Sequence, residues 1–278
     1  MANLCKALIP FKDIEKIEIY INKSPWKTLA AIKKATGADY IINGTLYNMT
    51  TGEVVCHLKA DGKVICSPDY GVEGYAWSTP SDFAMTVLPN LSIDKDIAQN
   101  NYIACDTLVP TLNPYISSSR MGKRGRTAIG IKGDCLGLYC AKNGTTAART
   151  PAQLRNDLIA EGWDSAILLD GGNSSQCDFL GETVTSTRKV AHLILVYLKK
   201  SAKPECPYVE PTVNIKNGSR GDGAKWVQWM LNKAINAGLV VDGVFGKLSV
   251  AALKKFQADN GLVADGICGK LTRTELKR

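Results

Sequence analysis

Histidine is nearly absent from this chain: His57 and His192 are the only two in 278 residues. Nine cysteines are present, yet no two form a Cys-x-x-Cys pair. The ligands of a structural zinc site are therefore not assembled. No acidic spacing resembles an EF-hand loop, so neither a metal nor another cofactor is expected. No apolar run reaches the ~18 residues of a membrane-spanning helix, and no membrane insertion is expected. The N-terminus lacks the apolar h-region of a signal peptide, because Lys12, Asp13, Glu15 and Lys16 interrupt it at once. The protein is thus expected to be made in the cytoplasm without a signal peptide. Basic residues are not interleaved with aromatics, which argues against nucleic acid as a partner. An odd cysteine count leaves at least one thiol unpaired in a monomer. Reduced, mostly buried thiols are the expectation, with no bridge between Cys56 and Cys66.

What is present is a composition that folds. Apolar residues make up 45% of the chain, enough for one sizeable domain and a small second one. The net charge of +8 favours an anionic partner. The positive charge is spread out and is densest at Lys123-Arg124-Gly125-Arg126 and Lys199-Lys200.

The first 198 residues read as strands with a few helices. Gly52 to Lys59 and Lys63 to Cys66 flank an Asp61-Gly62 turn as a hairpin. Thr127 to Ile131 and Leu136 to Cys140 form two further strands, and Ala191 to Leu198 a last one. Helices are expected from Pro25 to Thr36 and from Pro151 to Glu161, the second with Leu154, Leu158 and Ile159 on one face. The run Ala166-Ile167-Leu168-Leu169 then drives into Asp170-Gly171-Gly172-Asn173-Ser174. A buried strand ending this way presents Asp170 at the mouth of a sheet, and the glycines admit a substrate close to the backbone. The fold class is α+β, a mixed-sheet domain (1–198) joined by a linker (199–216) to a small C-terminal domain (217–278). The linker is read from Pro204, Pro207 and Pro211 in a segment without apolar period.

The C-terminal part contains a pseudo-repeat: Val241-Asp242-Gly243-Val244-Phe245-Gly246 returns as Ala264-Asp265-Gly266-Ile267-Cys268-Gly269. Val250 to Asp259 between the copies is helical, and Val227, Met230, Leu231, Ala234 and Ile235 make an earlier apolar stripe. With Arg220-Gly221-Asp222, Phe256-Gln257 and Gly261-Leu262 in order, this part resembles the peptidoglycan-binding domain type 1, which implies a small three-helix domain. The resemblance implies a bacterial cell-wall partner, peptidoglycan with teichoic acid as an additional candidate. Cys268 stands where the other copy has Phe245, which is expected to thin the packing there.

Four motifs upstream, taken in order, resemble the phosphodiester glycosidase family. They are Ile42-Asn43-Gly44-Thr45, Gly125-Arg126-Thr127, the Asp170-Gly171-Gly172 stretch and Thr187-Arg188-Lys189. Departures from the family pattern fall at Tyr47, Asn48, Asn173 and His192. The resemblance implies a site of Asn43, Gly44, Arg126, Asp170, Gly171, Gly172, Ser174 and Arg188. Asp170 would act as base or nucleophile at an anomeric carbon, Arg126 and Arg188 would clamp phosphate, and Asn43 would bind sugar. His192, set in an apolar strand, reads first as a hydrogen-bonded core residue and is kept as a reserve general acid with substrate contact, and Glu53 and Asp134 are candidates for a second carboxylate. A sugar-1-phosphodiester needs little acid assistance, because its leaving phosphate is already a weak base; cations on the phosphate matter more. The two halves together imply a glycosidase acting on the bacterial wall, laid out like a phage or prophage endolysin reaching it through a holin. The alternatives are a muramidase or glucosaminidase cutting the glycan strand, and a catalytically silent wall-binding protein.

Overall fold

The computed structural model describes residues 3–23, 25–69, 73–199 and 206–277. The chain divides into two compact units, Met1–Ala202 and Lys203–Arg278. The first unit opens with β1 (Leu4–Pro10), β2 (Ile14–Ile21), α1 (Leu29–Thr36) and β3 (Tyr40–Asn43). Next come β4 (Leu58–Ala60), β5 (Lys63–Cys66), β6 (Gly74–Trp77), β7 (Ala84–Thr86) and α2 (Ile93–Asp96). They are followed by β8 (Asn101–Ala104), β9 (Asp106–Val109), β10 (Arg126–Lys132), β11 (Cys135–Ala141) and α3 (Pro151–Ala160). β12 (Ser165–Leu168), β13 (Cys177–Phe179), β14 (Glu182–Val184) and β15 (His192–Leu198) complete it. The second unit holds α4 (Asp222–Ile235), α5 (Lys247–Asp259) and α6 (Lys270–Leu276).

The expected α+β class holds, with strands antiparallel in three five-stranded sheets. Their orders are β1-β11-β10-β12-β9, β14-β13-β3-β15-β2 and β5-β4-β8-β6-β7. The period of two in the strands explains the layering. Ile129 and Ile167 of the first sheet meet Ile42, Ile194 and Val196 of the second in one buried core. Their neighbours point the other way: Ala128 and Leu168 pack on Leu154 and Leu158 of α3, and Ile41, Leu193 and Leu195 on Ile32 by α1. Both sheets are thus buried on both faces, which is why β12 and β15 are continuous apolar runs rather than alternating ones.

Local chemistry sets the element ends. Thr150 and Gln153 close a capping box around Pro151 at the start of α3. Leu154 and Leu158, four apart, face the sheet, whereas Ile159 is exposed, one residue too far around the helix to share their face. α1 begins at Leu29 and not at Pro25, because the Thr28 side chain accepts from the Ala31 N–H and caps it there. Of the strand expected over Gly52 to Lys59, only the end near Leu58 joins the ladder; Val54 instead bridges Tyr47 and closes a loop. On the first sheet, Gly130 and Gly137 are direct partners across the β10–β11 hairpin, and the buried Trp163 indole lies over both. A Cβ at Gly130 would stand 2.8 Å from that ring.

The second unit has the three expected helices, with α5 starting at Lys247, earlier than Val250. One glutamine organises each half of the pseudo-repeat. Gln228 Nε2 donates to Asp242 Oδ1 (2.8 Å) and the Val244 carbonyl (3.1 Å), while its Oε1 accepts from Gly243 N–H (2.9 Å). Gln257 repeats this on Asp265 (2.9 Å), Ile267 (3.0 Å) and Gly266 (2.9 Å). Cys268 is fully buried and pairs through its backbone with Ile215, whose side chain enters the same core. Residues 200–205 of the expected linker lie outside the described residues. From Cys206 the chain is not a free linker: Cys206, Tyr208 and Ile215 pack on this core, and Glu210 pairs with Lys277 (2.8 Å). Prolines punctuate that stretch, but its apolar side chains decide where it lies. All nine cysteines are free thiols, six of them buried.

Candidate active site

Asp170 stands two residues beyond the end of β12, where β3 ends and β10 and β15 begin. Its backbone is fixed on three sides. Its N–H donates to the Gly44 carbonyl (3.1 Å), and its own carbonyl accepts from Asn43 Nδ2 (2.8 Å) and from the Thr127 hydroxyl. Asn43 is buried and closes a bracket, since its Oδ1 also accepts from Gln176 N–H (3.2 Å). The following turn is tied down as Gly172 N–H donates to the Gly125 carbonyl (2.8 Å). Glycine is required at 171, where a Cβ would come within 2.8 Å of that same carbonyl. It is required also at 44, where a Cβ would collide with the His192 ring.

The Asp170 carboxylate faces a cleft of about 560 Å³ lined also by Tyr47, Lys123, Arg124, Asn143 and Arg188. Burial pushes its pKa above the ordinary aspartate range. The Ser174 hydroxyl, the Gly171 N–H (2.9 Å to Oδ1) and the charges of Arg120 and Arg188 work in the opposite direction. Arg188 Nη1 in turn donates to Ser174 Oγ at 3.3 Å. Ser174 therefore links the carboxylate to the arginine. Among the described residues lining this cleft, Asp170 is the sole carboxylate and three cations surround it. Such a site takes a proton from a bound nucleophile while holding an anion beside it.

The structure brings Asp170, Gly171, Gly172 and Arg188 to the cleft wall and sets Asn43, Gly44 and Ser174 directly behind it. Arg126 is placed otherwise. Its guanidinium is buried and donates to the carbonyls of Arg149 (2.8 Å), Arg120 (2.6 Å) and Gly122 (2.5 Å). Burial, helped by Arg124 and Arg120, pulls its pKa down to about 10. It ties the 120–125 segment in place, and Arg124 from that segment reaches the cleft wall in its stead. His192 is also internal: Nε2 accepts from Thr45 N–H (2.9 Å), which makes the buried ring a neutral acceptor rather than an acid. Desolvation lowers its pKa to about 4. Neither candidate for a second carboxylate lines the cleft. Glu53 is exposed and bonded to Thr51 (3.0 Å), and Asp134 lies at the far turn of the β10–β11 hairpin.

Sequence reasoning missed Tyr47, Lys123, Arg124 and Asn143 as cleft residues. The dense basic stretch around Arg124 was the available signal for two of them. It also missed Asp106, buried opposite Leu168 and paired with Arg120 and Asn113 (2.8 Å). Asp106 anchors the segment that Arg126 holds from the other side.

Residues 19–197 match the phosphodiester glycosidase family. Residues 220–276 match a family described as a peptidoglycan binding domain. No curated protein matches the chain. Among solved structures, the fold is similar to the zebrafish N-acetylglucosamine-1-phosphodiester alpha-N-acetylglucosaminidase catalytic domain auto-inhibited by its pro-peptide. That likeness has a TM-score of 0.55 and 13% identity, covering 71% of this chain and 84% of that one. It is also similar to a hypothetical protein from Synechocystis, with a TM-score of 0.56 and 12% identity over 70% of this chain and 59% of that one. These likenesses show the fold, and the match over most of the first unit shows more. The chain is a glycosidase carrying a peptidoglycan-binding unit, and it belongs to the phosphodiester glycosidase family.

Proposed function

We propose that the enzyme hydrolyses the bond between the anomeric carbon of a sugar and a phosphodiester within a bacterial wall polymer. The observation that carries this reading is the single cleft carboxylate, Asp170, faced by Lys123, Arg124 and Arg188. An ordinary glycosidase uses two carboxylates, one to protonate the leaving oxygen. Here the leaving group is a phosphate that departs as an anion, and cations take over from the acid. Asp170 accepts a proton from water, the water oxygen bonds to C1, and the C1–O bond breaks with its electron pair remaining on phosphate. Arg188 and Arg124 hold that phosphate. Gly171 and Gly172 leave room for the sugar against the backbone, and Asn43, Gly44 and Ser174 fix the position of Asp170. His192 serves the same frame.

Gram-positive walls contain such bonds where teichoic acid joins the glycan and, in some teichoic acids, between the repeats of the chain, and the match of the second unit supports the wall as location. The test compares whole Gram-positive walls with walls stripped of teichoic acid, reading soluble products by mass spectrometry. Phosphorylated polymer released from whole walls alone, and lowered ~10²–10⁴-fold in Asp170→Asn, is the expected result. Glycan fragments from stripped walls would move the enzyme to the glycan-strand hydrolases. Binding without any product would leave a wall-binding protein. Clearing of Gram-positive cells in the same series is the matching expectation for a phage or prophage lysin that reaches the wall through a holin.

A further inference from the structure

Beside the cleft that holds Asp170 lies a second one of about 420 Å³. The two share Asn143, Gly172, Asn173 and Arg188, so they adjoin along a common wall with Arg188 on both sides. Lys142, Ser175, Thr185, Ser186 and Thr187 supply the rest of the second lining. Its composition is one-sided. Among the described residues lining it there is a lysine, an arginine, amides and hydroxyls, and no carboxylate, aromatic or aliphatic side chain.

That lining selects against a sugar ring, which packs on aromatic or aliphatic surface and gives its hydroxyl protons to carboxylates. It suits an anion with oxygen acceptors, which draws hydrogen bonds from ammonium, guanidinium, amide and hydroxyl donors. A second observation also points to a ligand. The Ser175 side chain is 2% exposed, yet its Oγ has no partner among the protein groups. A buried hydroxyl without a partner is costly, and Ser175 is among the residues lining the cleft, so a bound acceptor that draws its side chain towards the cleft would satisfy it. The walls are also held apart independently of Lys142: Asn143 Nδ2 donates to Asn173 Oδ1 (2.8 Å), and the Ser186 hydroxyl donates to the Asn173 carbonyl (2.5 Å).

We propose that this second cleft is a subsite for the leaving group, and that it takes a polyol phosphate chain whose next phosphate is bound by Lys142. The inference rests on the phosphodiester reading above, applied to a sugar-1-phosphate within the polymer chain, where polyol phosphate lies on the phosphate side of the bond. With the sugar against Asp170 and the scissile phosphate at Arg188, the chain beyond that phosphate continues into the cleft that Arg188 also lines. The enzyme then recognises a polymer of phosphates, and a lone phosphodiester fills half of the site.

Two soluble substrates test this on the full chain. One is the N-acetylglucosamine 1-phosphodiester of glycerol; the other carries a further glycerol phosphate on that glycerol. The extended substrate is expected to have a KM ~10-fold lower, an advantage that shrinks as salt is raised. Lys142→Ala is expected to bring the ratio of the two KM values to about one. Equal KM values in the wild type, or a ratio that Lys142→Ala leaves unchanged, would overturn the subsite while leaving the phosphodiester reading standing. Hydrolysis of neither substrate would overturn that reading and the subsite with it.

Discussion

Asp170 is pulled two ways: burial favours its protonated form, while Ser174, Gly171 and the nearby arginines favour the carboxylate. The balance leaves its pKa raised, which suits a group that must collect a proton in each turnover. His192 is the simpler case, because desolvation alone lowers it to about 4. In the unfolded chain the ring takes up a proton near its ordinary value of 6.5. Acid therefore favours the unfolded state: the contribution of a neutral His192 is complete above about pH 6.5 and is lost as pH falls towards 4. Over that window the loss amounts to about 3 kcal/mol. In thermal melts of the first unit between pH 7 and pH 4, His192→Gln, which keeps an acceptor for Thr45, is expected to flatten the acid limb. At this scale Asp170 was legible because the strand that runs into Asp-Gly-Gly stands in company with three further family motifs, and Arg188 only through the last of those motifs. It could not say which of Arg124 and Arg126 faces the cleft. Both lie in one basic stretch, and the choice is made by three carbonyls, those of Arg120, Gly122 and Arg149, that converge on Arg126.

The segment from Arg120 to Gly125 behaves as an element although it contains no long helix or strand. Arg126 binds it through two carbonyls, and Asp106 holds the Arg120 side chain. Removing the fork leaves those carbonyls without a partner, and Arg126→Ala is expected to cost about 3 kcal/mol. In denaturant titration this appears as a lower midpoint; at temperatures where the variant stays folded, KM for a phosphodiester should still rise as Arg124 loses its seat. Rescue of KM by Arg126→Lys would contradict this, since one ammonium cannot span three separate carbonyls. The strands were legible wherever apolar residues ran without interruption, as in β12 and β15. The stretch from Gly52 to His57 was not, because its role is set by the Tyr47–Val54 bridge that carries Tyr47 to the cleft. That contact is made across the loop and leaves no period in the sequence.

For the molecule as a whole, each unit has its own buried core. Residues 1–202 alone are therefore expected to hydrolyse a soluble phosphodiester with kcat/KM within ~2-fold of the full chain. Product release from insoluble walls should fall ~10²-fold, because the second unit no longer raises the local concentration of enzyme. Equal release by both forms would show that the second unit does not direct the enzyme to its substrate. The division of the chain was readable from the shift in composition near residue 200. The packing of Tyr208 and Ile215 was not, since single anchors in a proline-rich stretch carry no pattern. Trp163 lies flat on Gly130 and Gly137, and neither glycine can gain even a methyl group while the indole stays. Shrinking the ring would free position 137 alone, because the Ser165 carbonyl would still collide with a Cβ at position 130; a lineage that loses the indole therefore keeps Gly130 and gains freedom only at its partner.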